Sequence, residues 1–168
     1  MGPLRDAIHA LKYKRDIGLG EELALHLIEL FKKQNWQIDM VAPVPLGKER
    51  LEERGYNQSH YIALPIALSC GLAYKPDAIK RIRNTSSQVG LNIKERLQNV
   101  QGAFWGNTKR LKGKSILLID DVTTTGATIQ ACAQACLQAQ AVNVYGLTVA
   151  RAPLAHPTGQ KLKLELAS

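Results

Sequence analysis

The spacing of apolar positions changes several times along the chain, and each spacing predicts an element. Leu4, Ile8 and Leu11 recur at helical intervals over 3–14, with Pro3 suited to a first helical turn. Gly18 and Gly20 punctuate, and Leu23, Leu27, Ile28, Leu30 and Phe31 then predict a second helix to about Lys33. Ile38, Met40, Val41 and Val44 predict a strand over 38–45, closed by Pro43 and Pro45 because proline cannot donate to a ladder. The polar stretch 47–57 reads as irregular, and 59–70 returns to helical character despite Pro65. Further on, 78–82 alternates apolar and basic residues as a half-buried strand does, 84–89 is a polar loop without periodicity, and 92–99 is a short helix. The Gly106-Asn107 pair suggests a hairpin-like connection within 102–114. A buried strand over 116–119, an alanine-rich helix over 126–139 and a strand over 142–150 complete the pattern. Strands alternating with helices predict an α/β fold, a doubly wound and mostly parallel sheet. The expected organisation is one domain over 1–168, with 1–36 as an N-terminal helical segment and no repeat or linker.

Composition narrows the chemistry. With 45% of its 168 residues hydrophobic and 21% charged, the chain can build a core. Its formal net charge of +8 favours an anionic partner: phosphate, nucleotide or nucleic acid. Cys70, Cys132 and Cys136 contain no C-x-x-C pair, which argues against a disulfide framework or a structural zinc site and for apolar packing in a reducing compartment. No apolar run approaches the roughly 18 residues that span a bilayer, so the expectation is a cytoplasmic protein without membrane partners.

The most informative stretch is 116–128, I-L-L-I-D-D-V-T-T-T-G-A-T, which passes from a buried strand through a small polar loop into a helix. Ligands of open α/β sheets bind beyond the carboxyl ends of strands, where Asp120 and Asp121 stand. Thr123, Thr124, Thr125, Gly126, Ala127 and Thr128 offer hydroxyls and backbone N–H groups at a helix start, which favours phosphate. Carboxylates repel phosphate, so the acids must face another part of the same ligand, hydroxyls or a cation. A sugar carrying both a diol and a phosphate, such as ribose 5-phosphate, meets both demands. Rival phosphate motifs fit worse. Gly113-Lys114-Ser115 lacks the first glycine of a Walker loop and precedes its strand, and Gly18 and Gly20 follow no strand.

With those residues in view, 116–128 resembles the fingerprint of type I phosphoribosyltransferases that binds phosphoribosyl pyrophosphate (PRPP). V-P-L-G-K-E-R-L-E-E-R-G-Y-N-Q over 44–58 and R-x-R-x-T-x-x-Q-x-x-L over 81–91 are similar to the competence protein F (ComF) branch of that superfamily, as are Lys12-Tyr13, Arg96 and Asn99. The resemblance implies that Asp120 and Asp121 hold the ribose hydroxyls and that 123–128 binds the 5-phosphate. It places Val44, Pro45, Leu46 and Gly47 at the pyrophosphate loop, with Arg50 and Arg54 as helpers. Arg81, Arg83 and Gln88 fall on the loop that closes over the site. It further implies magnesium entering with PRPP, bridging sugar hydroxyls and pyrophosphate rather than bound by a protein cluster, and displacement of pyrophosphate from C1 by a nitrogen nucleophile.

Two departures stand out. The cysteine-rich zinc module common at the start of this branch is absent from the sequence, and Leu46 stands where many phosphoribosyltransferases carry an acidic residue. No hood that reads an acceptor is recognisable. The alternative expectation is a non-catalytic competence protein that binds single-stranded DNA through Lys12, Lys14, Arg15, Lys109, Arg110, Lys112 and Lys114, although its aromatic residues look dispersed along the sequence. A homo-oligomer is a further candidate assembly. His9, His26, His60 and His156 form no evident base or ligand set.

Overall fold

The computed structural model describes residues 2–85 and 93–151. Their elements run α1 (Pro3–Tyr13), α2 (Gly18–Lys32), β1 (Met40–Pro43), α3 (Lys48–Arg54), α4 (Gln58–Ser69), β2 (Ala73–Tyr74), β3 (Ile79–Arg81), α5 (Ile93–Val100), β4 (Phe104–Gly106), α6 (Thr108–Leu111), β5 (Ser115–Thr123), α7 (Ala127–Gln138) and β6 (Asn143–Arg151). Four strands form a parallel sheet in the order β2-β1-β5-β6, with Met40–Pro43 registered against Ile116–Ile119. The expected doubly wound arrangement follows: helices cover both faces, so the central strands read as unbroken apolar runs. Ile116, Leu117, Leu118 and Ile119 are all fully buried.

Alternate residues of β5 feed two cores. Leu117 and Ile119 join Ile8 and Leu11 of α1, Leu23 and Leu27 of α2, and Ile62 and Ile66 of α4. Ile116 and Leu118 join Cys132, Ala135 and Cys136 of α7, together with Ile79 and Phe104. The small residues of α7 let a second layer approach it closely, namely the antiparallel pair β3–β4. Cys132 and Cys136 therefore serve as packing residues, as their helical spacing suggested.

Two local expectations change, and one short strand is new. The stretch 47–57 is not irregular, because 48–54 forms α3, which ends at Gly55 in the left-handed conformation. Gly106-Asn107 is not a hairpin turn. Gly106 is the last residue of β4, where a Cβ would lie 2.5 Å from the Ala135 carbonyl oxygen of α7, and Asn107 caps α6 by accepting from the Lys109 N–H. The two-residue strand β2 has no periodic signature in the sequence, since pairing with β1 alone defines it. By contrast, α4 forms with Pro65 inside it, as expected.

Candidate functional site

The chain reverses its direction of winding between β1 and β5. From β1 it crosses to β2 on one side, and from β5 it crosses to β6 on the other. Such a switch point opens a crevice at the carboxyl ends of the two strands. Val44–Gly47 follows β1 there; β5 runs past the expected 116–119, so the acid pair lies within the strand, Asp120 registered against Thr148 and Thr123 against Arg151, and the rest of the threonine loop follows it.

Asn57 joins the first of these loops to α4. Its side chain accepts from the Ser59 N–H at 3.1 Å, capping the helix, and donates to the Val44 carbonyl at 2.9 Å. Arg81 reaches the same loop from the β3–β4 layer: a Cβ on Gly47 would touch its guanidinium carbon at 3.6 Å. That guanidinium lies over the Phe104 ring and donates to the Thr85 hydroxyl, while its Nε is buried with no hydrogen-bond partner. Burial lowers the Arg81 pKa, and Arg50 and Arg83 press it down further. A half-buried cation with an unpaired donor beside a backbone loop suits an anion.

The two acids occupy unequal surroundings. Asp120 Oδ1 accepts from Ser59 Oγ at 3.2 Å and from the Asp121 N–H at 2.9 Å. Its pKa is pushed up to about 8, first by burial and then by the charge of Asp121. Asp121 is only 4% exposed, with Oδ2 lying 2.5 Å from Lys12 Nζ and Oδ1 accepting from Gln58 Nε2 at 3.5 Å.

The threonine loop ends at Gly126, whose φ of +82° opens α7 in a conformation that costs a side chain dearly. Thr125 Oγ1 accepts from the Ala127 N–H, and Arg96 of α5 donates to Thr124 Oγ1 at 2.7 Å. Thr123 and Thr128 are half-buried at either end of the loop. A recess of about 380 Å³ between α7 and β6 shares Thr123, Thr125 and Gly126 with the loop, but it includes neither Asp120 nor Val44–Gly47. The chemistry of the acids therefore belongs to the crevice, not to that recess.

The remaining arginines expected at the site diverge. Arg54 is buried, donating to Gln58 Oε1 at 2.7 Å and the Tyr13 hydroxyl at 3.4 Å, so it turns inward. Arg83 donates to the carbonyls of Asn99 and Gln101 at the end of α5. Arg50 is exposed on α3, and Pro45 and Leu46 are half-buried beside Gly47. Gln88 and most of the 84–89 loop lie outside the described residues.

No family model matches the chain. The DNA utilization protein YhgH of Salmonella typhi is 32% identical over 147 residues, covering 84% of this chain and 64% of that protein. Competence protein F of Haemophilus influenzae is 29% identical over 154 residues, covering 86% and 67%. The chain belongs to the competence protein F family. It spans about two thirds of the length of these relatives. Competence protein ComFC of Bacillus subtilis, 35% identical over 114 residues, covers 67% of this chain and 44% of its own length. Among solved structures, the glutamine PRPP amidotransferase from B. subtilis complexed with ADP and GMP covers 90% of the chain and 28% of its own, with a TM-score of 0.53 at 20% identity. The adenine phosphoribosyltransferase from Thermoanaerobacter pseudethanolicus covers 82% and 83%, with a TM-score of 0.52 at 12% identity. At those identities the fold is what is shared, and it is that of type I phosphoribosyltransferases.

For this ComF-family chain, the sequence exposed Asp120 and the threonine loop but not their supports. Ser59, Gln58 and Asn57 serve the crevice from the start of α4, and Lys12 serves it from α1. The motif G-Y-N-Q and the Lys12-Tyr13 pair carried that signal, without saying which carboxylate each residue meets. Nor are the aromatics dispersed. Tyr56, His60, Tyr61 and Tyr74 form one chain of edge-to-face contacts, and Trp36 meets Phe31 edge-on and stacks on Tyr145. His60 Nδ1 meets the Tyr74 hydroxyl at 2.5 Å, a structural pairing between α4 and β2.

Proposed function

We propose that the chain binds PRPP in the crevice between β1 and β5 and transfers its phosphoribosyl group to a nitrogen nucleophile, releasing pyrophosphate. One observation carries this reading: the half-buried carboxylate of Asp120 stands with two donor-rich loops, Val44–Gly47 backed by Arg81 and the threonine loop backed by Arg96. On this reading Asp120 accepts from the ribose hydroxyls. Thr123, Thr124, Thr125 and Thr128 with the backbone N–H groups of Gly126 and Ala127 hold the 5-phosphate. Val44–Gly47 and Arg81 hold the pyrophosphate, with Arg50 at its approach.

Among the described residues no cluster of three or more His, Cys, Asp or Glu is placed to hold a metal. The unpaired Arg81 Nε and the Gly47 backbone fit a pyrophosphate, and magnesium fits here as an ion carried by the substrate's own oxygens. It would shield the leaving charge. In the transfer the new N–C1 bond forms as the C1–O bond to pyrophosphate breaks, and the nucleophile gives up its proton. This chain's part is positional and electrostatic: Asp120 near developing positive charge at C1, Arg81 and loop amides on the departing anion. Three free cysteines suit a cytoplasmic setting for this chemistry, and among the described residues no helix is long and apolar enough to cross a membrane.

The test is ligand-dependent stability. Millimolar PRPP with magnesium should raise the melting temperature, growing with free ligand, and ribose 5-phosphate should do so less. No shift with PRPP would remove the reading.

The names of the relatives favour a second reading, single-stranded DNA on the basic surface. Lys109, Arg110 and Lys112 are exposed on and beside α6, although Arg110 is paired with Asp77 at 3.0 Å. Changing the three to Ala should flatten the salt dependence of DNA binding while PRPP affinity is kept, and an unchanged slope would remove this patch.

A further inference from the structure

One member of the acid pair is already engaged inside the protein. Lys12 Nζ sits 2.5 Å from Asp121 Oδ2, with the two side chains 20% and 5% exposed. The contact continues through Gln58 to Arg54, whose guanidinium returns to α1 by lying 5.0 Å from the centre of the Tyr13 ring. The polar chain thus begins and ends on adjacent residues, Lys12 and Tyr13. A third tie, from the Tyr56 hydroxyl to the Leu11 carbonyl, fastens the same end of α1. Asp120 differs: both of its described hydrogen bonds fall on Oδ1, and it is the more exposed acid.

Separating Lys12 from Asp121 would leave two charges unpaired where water scarcely reaches, which costs far more than a sugar hydroxyl returns. We propose that the two acids divide their work: Asp120 meets the ligand's hydroxyls, while Asp121 is the fixed counter-ion of Lys12 and locks α1 against the end of β5. The proposal rests on the PRPP reading above and refines it. Lys12 and Asp121 become positioning residues, and α1 becomes a wall of the site. Their pairing also leaves the crevice one negative charge fewer to set against a polyanionic ligand.

The experiment measures PRPP affinity by calorimetry, with magnesium present, and melting temperature on the same preparations of Asp120→Asn, Asp121→Asn, Lys12→Met, Lys12→Arg and the double variant Lys12→Met with Asp121→Asn. Lys12→Met should weaken PRPP binding about tenfold by leaving Asp121 uncompensated, and Lys12→Arg should restore it. Asp121→Asn should lower the melting temperature, and the double variant should regain what each single variant loses. The double variant should also bind PRPP at least about tenfold more tightly than Asp120→Asn. Equal weakness of those two would show that Asp121 touches the ligand, and would overturn the division. So would a double variant that regains no stability. If a single variant does not fold, the double variant leaves no buried charge unpaired and still gives the comparison with Asp120→Asn. Full affinity in Asp120→Asn would instead sink the PRPP reading itself.

Discussion

The two sides of the crevice differ in what their charged side chains face. On the α1 and α4 side, Lys12, Asp121, Gln58, Arg54 and the exposed Tyr13 form one linked polar chain, in which Arg54 Nε is a buried donor without a hydrogen-bond partner. On the β3 and α7 side, Arg81 keeps a buried Nε without a partner, and the threonine loop presents hydroxyls and a helix start. A buried donor left unpaired costs about 1–3 kcal/mol, and of the two such arginines, Arg54 and Arg81, it is Arg81 that stands beside the Gly47 backbone of the crevice. On the proposed reading the first side builds the site and the second receives the ligand. Substitutions on the two sides should therefore separate stability from affinity.

The largest effect should come from the acid that belongs to neither camp. Above pH 8, where Asp120 is ionised, Asp120→Asn removes the charged acceptor and should cost PRPP about 1.5–3 kcal/mol, on the order of ten- to over a hundredfold in affinity by calorimetry. Arg54→Met strikes the α1 and α4 side. It should cost roughly 2 kcal/mol of folding stability, visible as a lower denaturant midpoint, by stripping Gln58 and Tyr13 of their partner. A large loss of PRPP affinity with unchanged stability would reverse the assignment of that side.

Arg81→Gln strikes the receptive side. It should weaken PRPP about tenfold with little loss of stability, because a guanidinium crowded by Arg50 and Arg83 contributes little to folding. Ribose 5-phosphate, lacking the pyrophosphate, should bind this variant and the parent alike.

The last effect is a pH dependence. The Asp120 pKa is raised from 3.8 to about 8, so across that window the folded chain keeps a proton that the unfolded chain releases. Stability should therefore fall as pH rises through the window, and Asp120→Asn should flatten the fall. PRPP affinity should move the other way, rising toward pH 8 as the acceptor ionises. A melting temperature that climbs with pH in the parent and drops in the variant would contradict the burial of Asp120.

Much of the fold was legible because its signals are local. The apolar run 116–119, the alanine-rich helix and the alternation of strands with helices follow from side-chain periodicity, and β1, β5, α7 and β6 appear within a few residues of their expected places. The errors share a cause. The expectation of irregular backbone at 47–57 missed α3 because a seven-residue charged helix has no apolar stripe to announce it. The Gly106-Asn107 turn failed because the glycine answers to α7, an element distant in sequence.

The same division runs through the site. An acid after a buried strand, a loop of threonines and a glycine at a helix start are chemical statements that adjacent residues make by themselves, so Asp120 and 123–128 could be named before any fold was known. Which acid is free, and which arginine faces outward, could not. Asp120 and Asp121 are neighbours of identical type, and Arg54 and Arg81 are both basic residues in motif positions. Only the docking of α1 places Lys12 on Asp121, only the start of α4 turns Arg54 inward, and only the packing of β3 against α7 brings Arg81 to Gly47. Charge pairing depends on distance in space and on burial, and the folded chain sets both through contacts that leave no period in the sequence.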